Sequence, residues 1–269
     1  MQLHLDKPFE DLWRRGDPFE RAEALEGEIL RAVKARRTLR FNQNGQVYYA
    51  KIHRGVGWPE IIKNLLQFKW PVVGAENEWA ALNRLHAIGV ETMTPVAFGL
   101  KGQDPAHLHS FIITEELANT RSLEDVCANW KSSPPAFRLK KALIERLASM
   151  VGQMHRHGIN HRDCYICHFH LDMAFDPNAF APEDLHVYVI DLHRAQLRNR
   201  TPRRWIVKDV GGLYFSAMDI GLTRADRMRF IRAYERASLR AVLPKRTRFW
   251  KSVERTARAL YRKHFGGTA

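Results

Sequence analysis

Two acidic residues in the second half of the chain stand where chemistry can be done. Asp163 closes His161-Arg162-Asp163, just after a run whose apolar positions, Leu139, Leu143, Leu147, Met150, Val151 and Met154, repeat at helical spacing up to Gly158. Asp191 follows the apolar, strand-like run Val187 to Ile190. Phosphoryl transfer needs two carboxylates of this kind. One orients and deprotonates the attacking hydroxyl, and the other holds the magnesium that bridges the phosphates of ATP. Asp163 suits the first role and Asp191 the second. Between them, Cys164-Tyr165-Ile166-Cys167-His168 spells C-x-x-C-H, the pattern of covalent haem attachment. Haem attachment belongs to exported proteins, and no export signal is visible here. A zinc site with His168 and His170 lacks a second ligand pair, and no thioredoxin-like strand and helix precede a redox pair. The expected role of both cysteines is packing in the loop after Asp163, and no haem is expected.

The elements that must position these residues fall into two kinds. Asp17-Pro18 before a charged, alanine-rich stretch reads as a helix start. From Ile29 to His53, β-favouring residues flank Asn44-Gly45, a pair suited to the positive φ of a tight hairpin turn. Trp58 to Trp70, between Pro59 and Pro71, reads as a short amphipathic helix with Ile61, Ile62, Leu65, Leu66 and Phe68 interleaved with Lys63 and Lys69. A second helix runs from Glu76 to His86 with Gly89 at its end, and strands are expected at Thr94 to Gly99 and Phe111 to Leu117. After Leu117 strands become scarce. Besides the long helix before Asp163, helices are expected at Asp209 to Met218, at Thr223 to Ala237 with Thr223 as cap, and at Arg248 to His264. The expected class is therefore α+β, with a strand-rich half over residues 1–117 and a mainly helical half over 118–269.

Composition narrows the setting without naming a partner. The 269 residues are 45% hydrophobic, ordinary for a folded protein, and Lys and Arg outnumber Asp and Glu by 43 to 29, a net charge of +14. Such a field attracts polyanions: nucleic acid, anionic lipid or phosphorylated sugar. No zinc-finger or RNP motif accompanies the charge, so nucleic acid is not the expected partner. No apolar run approaches the roughly 18 residues of a membrane span. Three cysteines are too few and too oddly numbered for a disulfide framework, which fits a reducing cytoplasm.

The order of motifs resembles the protein-kinase-like superfamily, whose catalytic loop reads His-Arg-Asp and whose metal-binding Asp follows later. The resemblance implies a bilobal fold, with residues 1–117 as a small, ATP-clamping N-lobe and 118–269 as a larger catalytic and acceptor-binding C-lobe. Lys51, in Tyr49-Ala50-Lys51, looks like the lysine on the ATP phosphates, and Glu78 is similar to its helical ion-pair partner. Glu115-Glu116-Leu117 resembles the hinge, whose backbone at Glu115 and Leu117 would meet adenine. Arg162 belongs to the catalytic motif. Asp209 resembles the buried aspartate that braces the catalytic loop in kinases. The departures are specific. No G-x-G-x-x-G precedes Lys51, so a phosphate-covering turn around Val33 to Arg37 would rely on backbone amides or on Arg36 and Arg37. His168 occupies the usual asparagine position as a second metal ligand, although imidazole suits hard magnesium poorly. Tyr165 stands where protein kinases often carry a lysine two residues past the base.

Five segments carry a narrower likeness: Lys51-Ile52-His53-Arg54-Gly55, Thr114-Glu115-Glu116-Leu117, His161 to Phe169, Ile190 to Ala195, and Lys208 to Asp219. They are similar to the lipopolysaccharide core heptose(I) kinase family. That resemblance implies ATP- and magnesium-dependent phosphorylation of the first inner-core heptose of lipopolysaccharide, at the cytoplasmic face of the inner membrane, with an anionic membrane surface nearby. Two alternatives share parts of the pattern: an aminoglycoside-type small-molecule phosphotransferase, and a binding-only pseudokinase. The first often shows an acidic acceptor pocket that this basic chain does not advertise, and the second would not need Lys51, Asp163 and Asp191 together.

Overall fold

The computed structural model describes residues 1–33, 35–67 and 72–266, and the chain forms two units, residues 1–84 with 93–117 and residues 85–92 with 118–269. Residues 85–92, expected in the first lobe, thus pack with the second unit. The first unit holds β1 (Gln2–Leu5), α1 (Lys7–Trp13), α2 (Pro18–Glu23), β2 (Glu28–Val33), β3 (Arg36–Gln43), β4 (Gln46–Arg54), α3 (Trp58–Leu66), most of α4 (Glu76–Ala87), β5 (Pro95–Lys101) and β6 (His109–Glu115). Its sheet is six-stranded in the order β1-β5-β6-β4-β3-β2. Every neighbouring pair is antiparallel. Asn44 and Gly45, at φ 53° and 85°, make the tight turn between β3 and β4. That turn pins the register that pairs Lys51 with Thr38 on one side and Ile112 on the other.

Helices α1 and α2 cover this sheet with aromatic side chains. Phe9, Trp13 and Phe19 join Leu39, Phe41, Tyr48, Ile52, Phe111 and Ile113 in one buried cluster. Phe9 meets Tyr48 edge-on at 5.1 Å and Trp13 at 5.3 Å. Burying each such ring stabilises the unit by about 1.5–3 kcal/mol, with about 0.5–1.5 kcal/mol more for each well-placed aromatic pair. Asp17 caps α2 as its sequence implies, its carboxylate accepting from the Phe19 amide at 2.8 Å. The turn between β2 and β3 lies at the expected phosphate-covering position, with Lys34 outside the described residues. Arg37 is not available there, because its guanidinium donates to the carbonyls of Ala22 and Glu23.

The second unit contains β7 (Thr120–Ser122), α5 (Leu123–Cys127), α6 (Phe137–Arg156), β8 (Ile159–Asn160), β9 (Phe169–Asp172), β10 (Val187–Val189), β11 (Gln196–Leu197), α7 (Arg203–Ser216), α8 (Arg224–Glu235) and α9 (Leu239–Phe265). The apolar stripe of α6 is buried at Leu143, Leu147, Met150, Val151 and Met154, and α6 packs on α8 while α7 packs on α9. Two small antiparallel sheets, β10-β9-β7 and β11-β8, lie around the segment that carries Asp163. Gly158 turns α6 into β8 at φ 81°, where an added Cβ would lie 1.7 Å from the Arg198 carbonyl oxygen, so only glycine fits. Two helices start earlier than expected. Pro202 caps α7, which begins at Arg203, six residues before Asp209, and Ser238 caps α9, which runs on through Pro244.

Candidate active site

In the first unit, Lys51 lies on β4 and Glu78 in the first turn of α4, 27 residues apart and joined by a hydrogen-bonded ion pair of 2.6 Å. Glu78 is 1% exposed, so the sheet and helix take its carboxylate out of water and the lysine compensates the charge. Breaking such a pair from one side costs about 3–5 kcal/mol. Lys51→Met is therefore expected to lower the melting temperature and to raise KM for ATP, with Glu78→Gln acting in the same direction but less on KM. Titration of ATP by calorimetry on the folded variants checks this, and unchanged affinity in Lys51→Met would remove the lysine from the phosphate site. Glu115 ends β6, with its amide donating to the Thr94 carbonyl at 2.9 Å. The next carboxylate, Glu116, is held by Arg40 Nε at 2.8 Å and Tyr49 Oη at 3.2 Å, which ties β3 and β4 to the segment leading to Leu117.

In the second unit, the loop from His161 to His168 hangs between β8 and β9. Its backbone is fixed from behind by Asp209 on α7, a residue 1% exposed. The Asp209 carboxylate accepts from the amides of His161 at 2.6 Å and Arg162 at 2.9 Å. This is the brace expected of Asp209, delivered from the middle of a helix. His155 Nε2–H donates to the same carboxylate at 3.3 Å, and the Tyr234 hydroxyl donates to His155 Nδ1 at 2.8 Å. The chain Tyr234–His155–Asp209 thus runs through the core with each polar atom paired.

His161 is fully buried, and burial is the chief cause lowering its pKa, so the ring is neutral and Nε2–H donates to the Ile190 carbonyl at 2.9 Å. The Ile190 amide returns a bond to the His168 carbonyl at 2.9 Å. The loop bearing Asp163 and the turn bearing Asp191 are thereby locked together. Asp191 adopts φ 60° and ψ 53°, a left-handed conformation uncommon outside glycine, and opens the 3₁₀ turn Leu192–Arg194. His193 Nδ1–H donates to Asp191 Oδ1 at 2.5 Å, and His168 Nε2 lies 3.6 Å from Asp191 Oδ2. His168 Nδ1–H is already committed to the Asp163 carbonyl at 2.7 Å, and its ring lies parallel to that of His161 at 5.6 Å.

The arginine on the Asp163 carboxylate is not its neighbour in sequence. Arg162, at φ 74° and 9% exposed, turns its guanidinium onto the Trp205 ring at 5.3 Å. Arg194 Nη1 instead donates to both carboxylate oxygens of Asp163, at 2.9 Å each. No local signal marks Arg194, since 31 residues separate the partners. Lys208 Nζ lies over the Trp205 ring at 5.4 Å, with its pKa lowered first by burial and then by Arg162. Cys164 is buried, and burial raises its thiol pKa well above the ordinary range, while Cys167 is half-buried. The expected packing role describes Cys164.

Asp191 can serve magnesium in the way ATP-dependent enzymes use it, through one or two carboxylates plus substrate phosphates and water. No cluster of three or more His, Cys, Asp or Glu side chains able to cage a metal occurs among the described residues. A separate feature of this unit is an apolar cavity of about 400 Å³. Leu123, Leu143, Leu147, Leu213 and Trp250 line it, and so does Ile166 of the catalytic loop.

A strand lysine ion-paired to a helix glutamate and an aspartate-braced His-Arg-Asp loop are working parts of the protein-kinase-like phosphotransferases, and comparison with known proteins narrows that class. The sequence model of the lipopolysaccharide kinase (Kdo/WaaP) family matches residues 20–234, and the chain belongs to that family. It is 54% identical over 263 residues to lipopolysaccharide core heptose(I) kinase WaaP of Pseudomonas aeruginosa, covering 98% of this chain and 97% of the relative. It is also 54% identical over 241 residues to the enzyme of the same description from Escherichia coli, with 90% of each chain covered. A solved structure described as WaaP in complex with acyl carrier protein superposes with a TM-score of 0.84 at 49% identity, covering 97% of this chain and all of that one. The fold is kinase-like, and the protein is an ATP-dependent kinase acting on a sugar.

Proposed function

We propose that the chain transfers the γ-phosphoryl group of ATP to the first inner-core heptose of lipopolysaccharide. Asp163 would orient the acceptor hydroxyl and receive its proton. Lys51, held by Glu78, would meet the ATP phosphates, with backbone groups of Glu115 and Leu117 at adenine. Asp191 would hold magnesium, which supplies charge neutralisation on the phosphate oxygens, and His168, whose Nε2 lies 3.6 Å from Oδ2 of that carboxylate, would be the second candidate ligand. The observation that carries this reading is the joined loop and turn. Asp163 and Asp191 are presented by backbone segments bonded to one another through His161, His168 and Ile190, in a chain half identical to heptose(I) kinases. Purified protein with labelled ATP and magnesium should label lipopolysaccharide core that lacks phosphate. Labelling of aminoglycosides in place of core would favour a small-molecule phosphotransferase, and no labelling of either would favour a pseudokinase.

The substrate is an amphiphile, and two features support ways of meeting its surroundings. On α3, Trp58, Ile62, Leu65 and Leu66 are 48%, 51%, 47% and 76% exposed, and Ile61 alone is buried. Phe68, Lys69 and Trp70, expected to continue this surface, lie outside the described residues. With the net charge of +14, such a face suits an anionic bilayer surface. No helix among the described residues is long and apolar enough to cross a membrane. Replacing Trp58, Ile62 and Leu66 by Ser should abolish flotation with phosphatidylglycerol vesicles yet spare activity on a lipid-free core sugar. Loss of both, with a lower melting temperature, would place these side chains in the core instead. The apolar cavity supports a second partner, an acyl carrier protein whose acyl chain enters it. Binding of acylated but not unacylated carrier protein in a titration is expected, and equal binding of the two forms would reject the cavity as the acyl site.

A further inference from the structure

Between Asp163 and His168 the loop of this protein carries no lysine or arginine. Cys164, Tyr165, Ile166 and Cys167 supply no basic side chain, and burial raises the Tyr165 pKa, which keeps the phenol neutral. Its ring packs against Phe215 at 6.2 Å. Arg162 is spent on Trp205. Yet a phosphoryl group in transfer spreads negative charge over its equatorial oxygens, and a fixed cation there is among the largest contributions a protein makes to the rate. Arg194 answers this need from a different part of the chain. It closes the short turn that Asp191 opens, so the cation and the magnesium carboxylate ride on one piece of backbone. Nη1 spans both oxygens of Asp163, whereas Nε and Nη2 make no hydrogen bond among the described residues, and the side chain is 35% exposed.

We propose that Arg194 is the cation of the transfer step, holding the Asp163 carboxylate with Nη1 while offering Nη2 and Nε to the transferring phosphoryl group. The step balances without further groups. The acceptor oxygen forms a bond to the γ-phosphorus, the bond from that phosphorus to the β,γ-bridging oxygen breaks with its electron pair leaving on ADP, and the hydroxyl proton passes to Asp163. Arg194 loses and gains no proton; it neutralises charge on the equatorial oxygens and keeps one face of the carboxylate occupied so that the other meets the hydroxyl. This role rests on the reading of Asp163 as the base.

The test uses the full-length chain with ATP, magnesium and core acceptor, comparing wild type, Arg194→Ala, Arg194→Lys and Asp163→Asn. Arg194→Ala is expected to lower kcat about 10²–10³-fold, with KM for ATP and acceptor within about threefold of wild type. Guanidinium ion added at millimolar concentration should restore part of that loss, and Arg194→Lys should retain an intermediate kcat, since a lysine is a point charge without the fork. Three results would overturn the proposal. One is a kcat within about threefold of wild type in both Arg194 variants. Another is an unchanged kcat with a raised acceptor KM, which would make Arg194 a contact for an anionic acceptor. The third is a loss that follows the melting temperature and resists guanidinium, which would make the pair a structural latch. Asp163→Asn keeps the two readings apart, because near-wild-type activity in that variant removes the base itself.

Discussion

Asp163→Asn and Asp191→Asn are each expected to lower kcat by about 10³-fold or more while the protein melts within a few degrees of wild type. Both side chains are partly open to water, 18% and 33% exposed, and both substitutions keep the volume, so the packing around His161 and His168 has no reason to change. The losses differ in kind. An amide at position 163 cannot accept the hydroxyl proton, and it leaves Arg194 with one acceptor in place of two. An amide at 191 removes the negative charge that suits a hard dication, so excess magnesium should recover part of the activity of Asp191→Asn and none of that of Asp163→Asn. Steady-state rates across a magnesium titration, with thermal melts of both variants, decide the matter. A folded variant of either residue keeping more than about a tenth of wild-type kcat would break the assignment.

Asp209→Ala is expected to be the most destabilising single change in the second unit. Its carboxylate satisfies the buried amides of His161 and Arg162 and receives His155 Nε2, so truncation strands three donors at once. Each stranded group costs about 1–3 kcal/mol, and bonds to a charged acceptor lie at the upper end. A total of about 3–5 kcal/mol, with a fall of about 6–20 °C in melting temperature, is the expected reading. Tyr234→Phe removes only the outer end of the same chain and should cost about 0.5–1.5 kcal/mol. The ratio is diagnostic: comparable melts for the two variants would mean that Asp209 is not the post on which the catalytic loop hangs. Activity of Asp209→Ala measured below its melting point should also fall, because Arg162 at φ 74° has no other anchor for its amide than this carboxylate.

Much of the fold can be read before any coordinates, and the elements that can be read share a property. Asn44-Gly45, Asp17-Pro18, Thr223 and Gly158 each act on backbone within a few residues of themselves, by supplying a positive φ or capping an amide. The β3–β4 hairpin and the helices α2, α6 and α8 followed from them. Where a local signal pointed the wrong way, the boundary was misplaced. A helix start is expected at Asp209, whereas its carboxylate serves another segment and α7 begins at Arg203, after its Pro202 cap. A helix is expected only from Arg248, but α9 has already begun at its Ser238 cap, buries Val242 and runs through Pro244. The segment Gln2 to Trp13 has too weak a period to announce β1 and α1, which form because Phe9 and Trp13 find the sheet.

The sequence by itself determined the class of chemistry: a lysine, a glutamate, a His-Arg-Asp and a later aspartate, in the order a kinase needs, on strands and helices whose periods are local properties. It also singled out the two candidate carboxylates, because each is announced by the element that precedes it. Only the tertiary structure decided who touches them. Arg194 takes the place at the Asp163 carboxylate, His155 and Tyr234 extend the Asp209 brace, and Ile190 joins the two loops, across separations of 29 to 79 residues. The physical reason is that capping and periodicity act over one or two turns of chain, whereas a side-chain hydrogen bond requires two atoms about 3 Å apart, a condition set by the path of the backbone through the whole core and carried by no short stretch of residues.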